Sequence, residues 1–64
     1  MQNNIKKYRE KMGLSQDKLG RMLGMSQTAI YKYENGENTP SLRMAFMLEE
    51  VLQVDIHDLF CWDS

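Results

Sequence analysis

Sixty-four residues, 42% of them hydrophobic and 27% charged with a net charge of −1, describe one small globular domain. A chain this short buries only about 60% of its unfolded surface, so marginal stability and help from a partner are expected. No apolar run nears the ~18 residues of a membrane span, MQNNIKKYRE shows no signal-peptide pattern, and one cysteine forms no internal bridge, so the cytoplasm is the expected compartment.

In chain order, the punctuation marks helices. Asn3 or Asn4 can cap a first helix running to about Met12, and Gly13 supplies the left-handed residue past its end. Ser15 is a good cap for a second helix, QDKLGRML, in which Asp17 suits the helix dipole and Leu19, Met22 and Leu23 share one face. Gly24 ends that helix and Ser26 caps the third, which Asn35-Gly36 stops. Thr39 with Pro40 at the first helical position, or Ser41 as cap, starts a fourth helix through about Leu52. A short fifth helix, IHDLF, follows Asp55. No useful stretch alternates with a strand period. The expected fold is all-α, a single domain of five short helices over 1–64, with the helix-turn-helix at about 15–35.

The fourth helix gathers Met44, Ala45, Leu48, Val51 and Leu52 on one arc and leaves Phe46 and Met47 outside it. Such a helix is either the central core element or is covered on a second side by another molecule.

The third helix poses the sharpest question. Its apolar Ala29, Ile30 and Tyr33 take one side, and Gln27, Thr28, Tyr31 and Lys32 crowd into an arc of about 140° on the other. Two short helices joined by Gly24-Met25-Ser26 form a helix-turn-helix signature, in which the second helix of the pair enters the DNA major groove. Each residue type then has a reason. Ala29 must be small where the helices approach, while Ile30 and Tyr33 anchor the reading helix. Gln27 can pair with adenine N6 and N7, Lys32 with guanine O6 and N7, and the Thr28 methyl with the thymine methyl. Tyr31 reads equally as a DNA contact or as a ring lying along the surface.

Charge agrees with this orientation. All eight basic residues lie in 1–43 against four acids, giving +4, and 44–64 carries five acids with no Lys or Arg, giving −5. A polyanion-facing part and a part facing elsewhere are expected. The run Lys6, Lys7, Arg9 and Lys11 reads as a solvated face acting at long range.

The stretch from Leu14 to Phe60 also resembles the Xre-type helix-turn-helix domain of phage Cro proteins and repressors. Three pieces carry the likeness: LSQ with Leu19, GMSQTAI across the turn, and ENG followed by PSL. The resemblance implies base contacts from Gln27, Thr28 and Lys32, and phosphate contacts from Gln16, Asn35 and Arg43. Three residues depart from the family pattern: Gly20 where Ala is usual, Glu49 where a small apolar residue is common, and Gln53 where Gly often ends the fourth helix.

Met44, Met47, Phe60, Cys61 and Trp62 either close a small core or form a homodimer surface within 42–64. A dimer suits the task, because one short helix reads too few bases to find a site in a genome. The expected function is a homodimeric regulator, a repressor by occupancy, on a near-palindromic operator of duplex DNA. The alternative is a protein-interaction module, an antitoxin or adaptor, that keeps the fold without reading bases. Neither a nucleophile–base pair nor a Gly-rich phosphate loop occurs, and His57 with Cys61 makes two metal ligands without a companion pair. No enzyme, cofactor, metal, membrane or small-molecule ligand is expected.

Overall fold

The computed structural model describes residues 2–61, with side chains from 3 to 60. Five helices follow in order: α1 (Ile5–Lys11), α2 (Gln16–Leu23), α3 (Gln27–Glu34), α4 (Leu42–Leu52) and α5 (Ile56–Leu59). Serines set three of the four longer helix starts. The hydroxyls of Ser15, Ser26 and Ser41 accept from the backbone N–H of Lys18, Ala29 and Met44, each satisfying a donor the first helical turn leaves open. Ser41 is thus the cap of α4, and Pro40 lies before it.

The turn between α2 and α3 is tight for an identifiable reason. Gly24 takes a left-handed φ of 71°, and the Met25 N–H folds back onto the Gly20 carbonyl at 2.7 Å. A Cβ at Gly20 would lie 2.6 Å from the Met25 carbonyl oxygen. The departure at position 20 therefore accompanies a close approach of turn to helix, and α2 and α3 are the most closely packed pair of elements.

Ile5, Leu19, Leu23, Ile30, Ala45, Leu48, Leu52, Leu59 and Phe60 form one core, drawn from every helix. Ala45, Leu48 and Leu52 put the inner side of α4 at its centre, while Met44, Met47 and Val51 pack half-buried at the edge. The other side of α4 is bare: Leu42 and Phe46, one turn apart, are 69% and 54% exposed.

The two remaining departures find local uses. The Glu49 carboxylate accepts from the Ile56 N–H at 2.8 Å, and Asp55 accepts from the His57 N–H, so both carboxylates hold the start of α5. Gln53 ends α4 in a left-handed conformation, φ 57°, with its side-chain amide donating to the Glu50 carbonyl at 2.7 Å.

One element escaped the sequence. The two ends of the described segment pair as β1 (Gln2–Asn3) and β2 (Phe60–Cys61), antiparallel, with Asn3 opposite Phe60. Two-residue strands are too short to show an alternating pattern, and the molecule stays all-α in class. The pairing reassigns both asparagines. Asn3 accepts from the Ile5 N–H and donates to the Tyr33 carbonyl, whereas Asn4, in the cap position, donates through its side chain to the Asp58 carbonyl.

Candidate nucleic-acid interface

The capped start of α3 and the turn before it present one polar face. Gln27, Thr28, Tyr31 and Lys32 are exposed along α3, with Tyr31 half open to solvent. Gln16, the first residue of α2, joins Gln27, Thr28 and Tyr31 around a shallow hollow. Four of the seven residues expected to contact DNA thus share one site, and Lys32 stands on α3 outside it. Asn35 is exposed at the end of α3, its amide donating to Glu37 at 3.3 Å, and Arg43 is exposed on the first turn of α4.

Behind this face lies an ion pair that sequence reasoning missed. Arg9, expected on a solvated face, is 8% exposed. Its Nε donates to Glu34 Oε2 at 2.6 Å, its Nη2 to Glu34 Oε1 at 3.2 Å, and its Nη1 to the Leu14 carbonyl at 2.8 Å. The hydrogen bond to Glu34 raises the guanidinium pKa above its ordinary value, while burial pulls the other way. A raised pKa means this stabilisation is complete below the unfolded value and is lost only as pH climbs through the folded one, in strong alkali. A signal was present in the sequence. Arg9 follows Ile5 by four and Glu34 follows Ile30 by four, so opposite charges sit on the buried stripe of two helices.

The pair connects outward. Gln16 Nε2 donates to Glu34 Oε1 at 3.0 Å, and Gln27 Nε2 reaches Gln16 Oε1 at 3.5 Å. The remaining cations lie on the surface: Lys6, Lys7, Lys11, Lys18, Arg21, Lys32 and Arg43 are all exposed. Lys7 and Lys11 lie against the Tyr8 ring at 5.4 and 5.3 Å from its centroid.

The residues expected at a dimer surface divide. Phe60 is 3% exposed, so burial within its own chain withdraws it from that role. Met44 and Met47 are half-buried against the core, and the Cys61 side chain and Trp62 lie outside the described residues.

This arrangement, two capped helices around a glycine turn with one polar face outward, is that of a helix-turn-helix DNA-binding regulator. Residues 5–59 match the helix-turn-helix family model, and the chain belongs to that family, in its Xre-like form. It is similar to HTH-type transcriptional regulators, themselves uncharacterised, from several organisms. One from Archaeoglobus fulgidus is 35% identical over all of this chain and 91% of its own, and one from Methanocaldococcus jannaschii is 36% identical over all of this chain and 97% of its own. A third, from Bacillus subtilis, is 32% identical over 94% of this chain and 91% of its own. Among the described residues no helix is long and apolar enough to cross a membrane, and no three potential metal ligands cluster.

Proposed function

We propose that this regulator reads duplex DNA sequence by setting α3 in the major groove, and that it represses by occupying a near-palindromic operator as a cytoplasmic homodimer. The observation that carries the reading is the hollow that Gln16 of α2 shares with Gln27, Thr28 and Tyr31 of α3, with the Arg9–Glu34 pair bonded to Gln16. Gln27, Thr28, Tyr31 and Lys32 meet base edges, while Gln16, Asn35 and Arg43 meet phosphates and fix the register. Gln16 suits that role because it opens a helix whose free N–H groups favour an anion. Dimerisation draws on 42–64, where Leu42 and Phe46 leave apolar surface open beside Met44 and Met47. Two-fold symmetry then sets half-sites about 34 Å apart, one helical turn.

Selection of random duplexes by the purified protein at about 0.1 M salt tests base reading and the dimer together, since weak phosphate-only binding is partly suppressed there. An enriched inverted repeat is expected, with Gln27→Ala losing about 1–3 kcal/mol and its preference at one base pair per half-site. Enrichment of a single half-site would remove the dimer. No enrichment by folded protein would remove base reading and favour a protein-interaction module.

A further inference from the structure

The buried ion pair touches the reading face, and its chemistry constrains that face. An ionised carboxylate only accepts hydrogen bonds, so the atom of the Gln16 amide turned toward Glu34 must be its nitrogen. The Glu34 side chain is 3% exposed, which leaves little room for water to take the place of that donor. Glu34 Oε2 is committed to Arg9 at 2.6 Å, while Oε1 receives both Arg9 Nη2 and Gln16 Nε2. With its nitrogen held, Gln16 turns its oxygen toward Gln27 Nε2, 3.5 Å away, and keeps one N–H free.

We infer that Glu34 is a positioning residue for base reading: anchored by Arg9, its carboxylate fixes which end of the Gln16 amide, and through it of the Gln27 amide, faces a DNA duplex. The inference rests on the base-reading proposal above. The free N–H of Gln16 has the polarity to donate to a phosphate oxygen, and a flipped amide would set oxygen against oxygen. Gln27 is left with one N–H and its oxygen outward. Adenine presents an acceptor, N7, beside a donor, N6–H, so an amide held one way round matches both and the reversed amide opposes both. Glu34 and Arg9 touch no DNA in this scheme. They remove the freedom that the half-buried Gln16 and the exposed Gln27 would otherwise lose on binding, roughly three- to tenfold in affinity for each side chain. Only the correct base pair gains from an ordered Gln27, so its share of the loss falls on discrimination at that pair, while the share of Gln16, a phosphate contact, falls on every duplex alike.

The test uses Arg9→Met/Glu34→Leu, because replacing a buried pair with apolar groups of similar size tends to keep a fold. Binding is measured to the selected operator and to each of its single base-pair variants. Discrimination at the pair that Gln27→Ala flattens should fall three- to tenfold, with the other positions unchanged. A pair that serves stability alone lowers affinity for every duplex equally and preserves the profile, and that outcome overturns the inference. A second reading needs neither DNA nor a variant. Side-chain NH2 exchange measured by NMR on the native protein should be several-fold slower for Gln16 than for a free glutamine amide, and the double variant should abolish the difference. Exchange at the free rate in the native protein refutes the amide chain. Protection of Gln16 in a protein that selects no sequence removes base reading, and Glu34's part in it, while leaving the hydrogen bonds intact.

Discussion

The two halves of this domain share one apolar core and differ in the polar contacts added to it. From α1 to α3, side-chain hydrogen bonds run between helices on top of the burial of Ile5, Leu19, Leu23 and Ile30: the Arg9–Glu34 pair ties α1 to α3, and the Gln16 amide ties α2 to α3. In α4 and α5, apolar burial through Ala45, Leu48, Leu52 and Leu59 dominates, and polar groups serve mainly at helix ends. The contrast follows from what each force specifies. Apolar burial is strong and non-directional, whereas hydrogen bonds have angles and polarity, so the half that presents the reading face is the one built with directional contacts.

Removing one partner of the buried pair should break the first half outright. Arg9→Met leaves the Glu34 carboxylate buried without its cation, which costs about 3–5 kcal/mol. For a domain this small that is most or all of the folding free energy, and circular dichroism at 25 °C should show a largely unfolded chain. Leu48→Ala strikes the second half, where a fully buried side chain leaves a cavity worth about 2–5 kcal/mol. Urea unfolding should show it, and the double variant Arg9→Met/Glu34→Leu should be milder than either. Near-equal loss from the single and double changes at the pair would mean that its charges matter less than its shape.

Gly20→Ala gives a smaller effect of informative sign. Helix propensity favours alanine by about 1 kcal/mol, but its methyl would lie 2.6 Å from a backbone oxygen that the turn holds in place. Net destabilisation of about 1–2 kcal/mol is expected from such overpacking, read as a lowered thermal midpoint. A stabilised variant would show that the turn can back away and that the close approach is not built in. Smallest, and opposite in direction, Gln53→Gly should stabilise by about 0.5–1 kcal/mol, because glycine adopts the left-handed cap without strain. No gain in differential scanning calorimetry would assign the Gln53–Glu50 hydrogen bond a compensating weight.

What the sequence reveals and what it hides follow the same division. The motif from Ser15 to Gly36 is legible because caps, glycines and helical spacing are local signals, and α2 and α3 fall at Gln16–Leu23 and Gln27–Glu34 as the residues suggest. The polar arc of α3 is legible for the same reason. The Arg9–Glu34 pair spans 25 residues and joins two helices whose relative placement no local rule supplies. Phe60 looked like surplus apolar surface near a chain end until the β1–β2 pairing folded that end onto the core. Glu49 read as a misplaced charge until the start of α5 supplied an N–H for it.

The β1–β2 pairing also bears on the order in which the molecule assembles. The α2–turn–α3 contacts close short loops, whereas the Asn3–Phe60 register closes nearly the whole described chain into one ring. Loop-closure entropy grows with length, so this contact is among the costliest to make and is favourable only once the helices between have docked. The Asn4 backbone N–H, which donates to the Leu59 carbonyl at 2.7 Å, is therefore expected to find its partner late in folding. Its hydrogen would acquire protection after those of α2 and α3, which makes it a natural stopwatch for the final step.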